Sequence, residues 1–259
     1  MNDPDRDARL TTLYLDFMFD LVAREPLEPL HWGYWEDDTP DLAAAQQRYT
    51  EMLLALLPAA VRTAWDVGCG LGAMLPPLLQ KGIQVEGLTP RKDHAALLLA
   101  RGLPVTTARF EDCEIDEPVD LLLFAESWNF FEADLDAHLE RCHHALRPGG
   151  WILAADLFSD ASRQGLADRF EIQMEQDVSA AVAPTPAALE ARLKRWTGGY
   201  DRLLRQTLAV LDPDLSAQVE ERLANVPNDA LRMVFDGQAV EEQMLSDRAY
   251  RFILARRRD

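Results

Sequence analysis

Positive charge is scarce in this chain of 259 residues: 26 Lys and Arg stand against 44 Asp and Glu, a formal net charge of −18. Proteins that grip nucleic acid present a basic face to phosphate, and anionic lipid surfaces attract clustered Lys and Arg, so neither partner is expected. Cysteine is also sparse. Cys69, Cys113 and Cys142 have neither the number for a disulfide framework nor the spacing of a thiolate metal site, which leaves reduced thiols. Apolar runs stop short of the roughly 18 residues of a membrane span. The opening MNDPDRDARL carries acids where a signal peptide needs a basic start, so a cytoplasmic protein is expected. His143 and His144 are adjacent in a helical pattern, where neighbours point about 100° apart, and no metal site is expected. Fixed-period repeats and low-complexity tracts are missing as well, which disfavours solenoids and linkers.

What is present is the composition of a globular domain with a sizeable core, 48% hydrophobic and 27% charged. Residues 7–24 and 41–57 carry apolar side chains at helical spacing, and the aromatic LHWGYW lies between them without a regular pattern. From residue 63 short apolar strands alternate with helices: TAWDVG, LGAMLPPLLQKG, IQVEGLT, DHAALLLARG, PVTTARF, VDLLLFAES, LDAHLERCHHAL and WILAADLF. Such alternation signals βαβ units and a parallel sheet. Arg147, Pro148, Gly149 and Gly150 form a turn before the last of these strands. Beyond residue 158, FEIQMEQDV reads as a strand and residues 185–245 as further helices; AYRFILAR alternates as a final strand, with Arg256, Arg257 and Arg258 as a solvated tail.

The sharpest local signal is Asp66-Val67-Gly68-Cys69-Gly70-Leu71-Gly72, a strand end entering a glycine turn and a helix. Glycines serve where the backbone turns tightly and a ligand must approach main-chain N–H groups. The spacing is D-x-G-x-G-x-G, which differs from the dinucleotide fingerprint.

This segment resembles the first motif of the class I S-adenosylmethionine-dependent methyltransferases. IQVEGLTP, ARFEDCE and LRPGGWILAADL follow in that family's order, and the resemblance spans residues 30–158. It implies an α/β, Rossmann-like fold with a mostly parallel seven-stranded sheet flanked by helices, and S-adenosyl-L-methionine as cofactor. Thr89 stands where the second strand commonly ends in an acid. With Gly87-Leu88-Thr89-Pro90 and His94 after it, the chain is similar to the subgroup of cyclopropane-fatty-acid synthases and tocopherol-type methyltransferases. In that subgroup an aromatic stretch like LHWGYW closes over the methionine end; Leu30 and His31 replace its usual Tyr-Ser pair.

The resemblance assigns Asp66 to the methionine amino group, Gly68, Cys69, Gly70 and Gly72 to the cofactor loop, and Thr89 and His94 to the adenosine side. Glu111 matches the acid that meets the adenine amino group, with Asp112 as the alternative and Phe110 able to pack on the ring. Read plainly, Asp66 is also a turn cap, Glu111 one of a solvated acidic cluster, and His94 a helix-opening surface residue. Glu126 ends the fourth strand and joins the cofactor-facing set. Trp128 and Asn129 follow it at the crevice of an open sheet, Trp128 toward substrate and Asn129 orienting substrate or cofactor, while Phe130 and Phe131 read as core or pocket wall. An acceptor hydroxyl would need a base, for which His31 is the first candidate, with Tyr34 or Tyr200 as positioning hydroxyls.

The expected organisation is one domain. Residues 1–60 supply helices and an aromatic lid, 61–158 the cofactor-binding core, 159–247 a helical cap carrying Trp196 and Tyr200 toward a small substrate, and 248–259 the final strand and tail. Three functions remain open on these residues: methyl transfer to a small, partly apolar molecule, cyclisation of S-adenosylmethionine itself to azetidine-2-carboxylate and methylthioadenosine, and non-catalytic binding of the cofactor.

Overall fold

A computed structural model describes residues 31–189, 191–192, 206, 209–210, 212–215, 217–218 and 248–258. The chain divides into two compact units, residues 25–183 with 244–259, and residues 1–24 with 184–243. The first unit is built on a seven-stranded sheet. Its strands are β1 (Thr63–Val67), β2 (Gln84–Thr89), β3 (Val105–Thr107), β4 (Val119–Ala125), β5 (Leu146–Phe158), β6 (Phe170–Asp177) and β7 (Ala249–Arg257). They lie in the order β3-β2-β1-β4-β5-β7-β6. β1 to β5 are parallel, and β7 enters antiparallel between β5 and β6.

Alternation along the strands produces two cores. In β4, Leu121 and Leu123 join Tyr49, Leu53, Leu98 and Phe252 on one face, whereas Leu122 and Phe124 join Val67, Phe110, Trp128 and Phe158 on the other. A strand covered on both faces must be apolar at nearly every position, and VDLLLFA is. Helices α1 (Leu42–Ala55), α2 (Leu75–Gln80), α3 (Lys92–Ala100), α4 (Leu135–Ala145), α5 (Asp160–Arg169) and α6 (Ser179–Val182) accompany the sheet. α1 starts where Asp41 accepts from the Ala44 N–H at 2.9 Å, and it buries Leu42, Ala45, Tyr49 and Leu53 at three- and four-residue spacing. The chain doubles back between β1 and β4, so a ligand crevice is expected outside the carboxyl ends of those strands.

The strands and helices read from residues 41–158 are all present, as is the strand at FEIQMEQDV. Residues 159–183, expected to open the helical cap, instead form α5, β6 and α6 of the sheet unit. The helix at 7–24, most of the segments expected as helices beyond residue 189, and the expected substrate residues Trp196 and Tyr200 lie outside the described residues.

The arginine tail is not the solvated appendage its sequence suggests. Arg256 lies over the Trp151 ring at 5.5 Å, Arg257 donates to the Leu146 carbonyl, and Arg258 donates to the carbonyls of Asp168 at 2.9 Å and Ala167 at 3.1 Å. The last two carbonyls end α5, where a helix leaves its acceptors unpaired and favours a cation.

Candidate functional site

The carboxyl end of β1 carries the glycine loop. Gly68, Gly70 and Gly72 have φ of 73°, 53° and 76°, the left-handed region that side chains disfavour. The N–H groups of Gly68 and Cys69 both donate to the Leu88 carbonyl at 2.9 and 3.0 Å, which ties the loop to β2. A Cβ on Gly68 would come within 2.5 Å of the Ser127 Cβ, so the loop also lies directly against the end of β4. Ser127 fixes that approach by donating its hydroxyl to the Val67 carbonyl. The Cys69 side chain turns inward against Gly87, and its carbonyl accepts from the Gly72 N–H at 2.7 Å.

Asp66 is 2% exposed and its Oδ2 has no hydrogen-bond partner among the described residues. Burial pushes its carboxyl up to about 7. An isolated carboxylate in such a place is costly, and a bound cation removes the cost.

Glu126 follows β4 at a φ of 65°, unusual for a residue with a side chain. Its Oε1 accepts from the Trp32 N–H and from the Tyr250 hydroxyl, the latter at 2.6 Å; Tyr250 in turn lies 2.9 Å from the Tyr49 hydroxyl. Burial raises the Glu126 carboxyl to about 8, against the opposing pull of those two donors. Asp156 on β5 is also raised to about 7 by burial, while accepting from the N–H groups of Asn129 at 3.0 Å and Leu157 at 2.7 Å. The Asn129 Oδ1 is buried without a partner.

Residues 31–35 of the aromatic stretch are held against this edge by Trp32, through its bond to Glu126, and by Tyr34, whose N–H donates to the Ala45 carbonyl at 2.8 Å. The Tyr34 ring packs 6.3 Å from Phe252. His31 is 6% exposed and does not fit the role of a base. Its Nδ1 lies 2.8 Å from the Trp32 carbonyl and its Nε2 3.1 Å from the Thr50 hydroxyl, its ring stacks on Tyr49 at 4.5 Å, and burial lowers it to about 4. Both ring nitrogens are thus engaged inside the protein, on the Trp32 carbonyl and the Thr50 hydroxyl, in surroundings that disfavour the charged imidazolium a base would become.

Two further expectations meet the core instead. Trp128 is fully buried, its indole N–H donating to Ser162 Oγ at 2.7 Å, and it packs on Phe124 and Phe158 rather than on a ligand. Phe110 is 2% exposed and meets Trp65, Phe124 and Phe131 edge-on, which leaves no ring face for adenine. Phe130, read as core or wall, is 73% exposed; with Phe131 it lines a groove of about 670 Å³. Glu111 stands on that groove beside Arg109, 3.4 Å away. Thr89 and His94 are each 2% exposed at the end of β2 and the start of α3, and the Thr89 hydroxyl accepts from the Arg91 N–H at 3.3 Å. The groups that sequence reading missed are Tyr49, Tyr250 and Asp156. Tyr250 sits in an alternating strand that marks it as inward-facing, but nothing local pairs it with a carboxylate 124 residues earlier.

A parallel sheet with one inserted antiparallel strand, a glycine loop at the end of β1 and an unmet acid beside it are the marks of a nucleoside-cofactor transferase of the α/β type. Residues 65–154 match the family model described as a methyltransferase domain. That segment is similar to the methyltransferase domains of the class I, S-adenosylmethionine-dependent proteins. Over 99 residues the chain is 33% identical to an uncharacterized methyltransferase of Mycobacterium tuberculosis, covering 37% of this chain and 40% of the relative. Over 98 residues it is 33% identical to a ubiquinone biosynthesis O-methyltransferase of Nitrobacter winogradskyi, covering 36% and 37%. The chain thus spans about two fifths of the length of these curated relatives. In fold it is similar to the mycolic acid cyclopropane synthase CmaA1, with a TM-score of 0.69 at 19% identity over 93% of this chain and 94% of that one.

Among the described residues no helix is long and apolar enough to cross a membrane, and no cluster of His, Cys, Asp and Glu is arranged to hold a metal ion. The cofactor fits the residues present: the orphaned Asp66 oxygen suits its ammonium, and the left-handed glycines open main chain where a Cβ would collide.

Proposed function

We propose that this chain transfers a methyl group from S-adenosylmethionine to a small, partly apolar acceptor and releases S-adenosylhomocysteine. The observation that carries the reading is the buried Asp66 oxygen without a partner, set beside three left-handed glycines at the switch in strand order. The bound cofactor supplies a methyl on a sulfonium, whose leaving group is a neutral thioether and needs no acid.

Asp66 holds the methionine ammonium through a charge-assisted bond, and the main chain of Gly68 to Gly72 receives the adjoining end. Thr89 and His94 stand on the ribose side, and Glu111 on the adenine side. Asn129 Oδ1, buried and unpartnered, accepts a hydrogen bond that orients a ligand amine or hydroxyl. Trp32 and Tyr34 keep water from the methyl end, and Tyr34 offers a phenol for positioning. Catalysis then rests chiefly on alignment and exclusion of water.

The net charge of −18 supports a small molecule over nucleic acid as the partner, and the three free cysteines suit a reducing cytoplasm. The test is to incubate the purified protein with S-adenosylmethionine, with and without candidate acceptors, and identify the products. S-adenosylhomocysteine formed only with an acceptor is expected. Methylthioadenosine formed without one would replace methyl transfer by cyclisation, and failure to bind the cofactor in calorimetry would end both readings.

A further inference from the structure

Three carboxyl groups stand at the ends of neighbouring strands with no cation to meet them. Asp66 on β1 and Asp156 on β5 are each 2% exposed, Glu126 follows β4, and among the described residues no Lys or Arg acts on any of the three. S-adenosylmethionine brings a sulfonium, an ammonium and a carboxylate, one net positive charge, and Asp66 answers the ammonium. Asp156 has each oxygen in a bond from backbone N–H, Oδ1 from Leu157 and Oδ2 from Asn129. Glu126 differs. Both of its donors, Trp32 N–H and Tyr250 hydroxyl, go to Oε1, and Oε2 takes no hydrogen bond among the described residues.

We propose that the acceptor is a small amine whose nitrogen is bound by Glu126 Oε2, which also takes the amine's proton. This rests on the methyltransferase reading above and narrows its substrate class.

The hydrogen bonds say which oxygen does the work. Because Oε1 already accepts twice, the proton of the neutral acid resides on Oε2. The Tyr250 phenol has a single proton and gives it to Oε1 at 2.6 Å; Tyr49, 2.9 Å beyond and 3.4 Å from the Ala155 carbonyl, therefore donates to one of those neighbours. Tyr49 and Tyr250 are positioning residues, directing one oxygen inward and leaving the other for ligand. The backbone at Glu126 is left-handed, a conformation that a residue with a side chain rarely adopts, and the two bonds to Oε1 hold it there.

Burial also suits the group to amine chemistry. An alkyl ammonium ionises near 10, so transfer to an ordinary glutamate is uphill by about six pKa units, whereas transfer to a carboxyl raised to about 8 is uphill by about two. The ionisable groups packed around Glu126 are Tyr49 from α1, Tyr250 from β7 and Asp156 from β5; none is a cation. An ammonium enters as the counter-ion and gives one proton to Oε2, which frees the nitrogen lone pair. That pair forms the bond to the methyl carbon while the carbon–sulfur pair leaves with sulfur as a neutral thioether.

The test is calorimetry in the presence of S-adenosylhomocysteine, titrating small alkyl amines, each paired with the alcohol of the same skeleton. Wild-type protein is expected to prefer the amines at least tenfold at pH 8, and Glu126→Gln to lose that ratio. Since the ratio is taken within each protein, a general loss of affinity cancels. Tyr250→Phe keeps the carboxyl but removes a donor that favours its ionised form, so the pH at which the preference sets in moves upward. Equal binding of alcohols, no binding of any amine while S-adenosylhomocysteine binds, or a ratio unchanged in Glu126→Gln would overturn the proposal. Failure of wild-type protein to bind S-adenosylhomocysteine or S-adenosylmethionine at all would instead overturn the methyltransferase reading.

Discussion

Tyr250 donates its phenolic proton to Glu126 across 2.6 Å, joining the final strand of the sheet to the end of β4. That bond sits among buried acids, and those acids make stability depend on pH. Asp66, Glu126 and Asp156 are raised to about 7, 8 and 7 from ordinary values of 3.8, 4.5 and 3.8. The folded state therefore holds protons that the unfolded chain has already released, and its advantage, full below about pH 4, is lost as pH rises toward 8. His31 and His138, lowered to about 4 and 3, act oppositely, but only below about pH 6.5, where the unfolded histidines charge. From pH 6.5 to 8 the acids act alone. Thermal melts should show stability falling by roughly 2–3 kcal/mol over that window, and less steeply with S-adenosylmethionine present; a flat profile in the empty protein would contradict these shifts.

Asp66→Asn separates function from stability. The empty protein should gain roughly 2–4 kcal/mol at pH 8, because a buried carboxylate without a partner is replaced by a neutral amide. Affinity for S-adenosylmethionine should fall at least a hundredfold as the ammonium loses its counter-ion. Urea unfolding and calorimetry on the same preparation check both, and near-normal affinity would show that Asp66 is not the ammonium site.

Gly68 and Gly102 share almost the same backbone, with φ of 73° and 72°. A Cβ at Gly68 would lie 2.5 Å from Ser127, whereas one at Gly102 meets nothing within 4 Å. Gly102→Ala should cost only the left-handed strain, about 1 kcal/mol, and Gly68→Ala at least twice that, with loss of cofactor binding. Equal melting temperatures for the two variants would mean that the β1 loop does not press on β4.

Trp128→Phe tests a residue whose position in the chain suggests substrate contact and whose packing denies it. It should destabilise the fold by roughly 2 kcal/mol, from lost volume and an unpaired Ser162 hydroxyl, while S-adenosylmethionine affinity changes less than threefold. A large change in affinity with normal stability would return Trp128 to the site.

Much of this architecture is legible in the order of residues. Asp66 through Gly72 combines an acid, three glycines and a strand-to-helix transition within one turn, so local sequence suffices to place it. The alternation of βαβ units is local in the same sense and appears where expected; residues 147–150, read as a turn, lie instead within β5, where its pairing with β4 shifts register and Gly149 takes a φ of 71°. Phe110, Trp128 and His31 differ from their sequence expectation for one shared reason: a residue next to a crevice in sequence can turn its side chain into the core, and position in the chain does not reveal which way it turns.

Taken alone, the sequence determined the parallel sheet and the glycine loop, because periodicity and turn chemistry act over a few residues, whereas the class of ligand rested on the resemblance of its motifs to a known family. The tertiary structure alone decided that His31 has both nitrogens engaged, that the arginine tail caps a helix, and that Glu126, Tyr250 and Tyr49 form one hydrogen-bonded chain. Those contacts bring together residues from distant elements, and burial, which sets the ionisation of Asp66, Glu126 and Asp156, exists only once the sheet has closed around them.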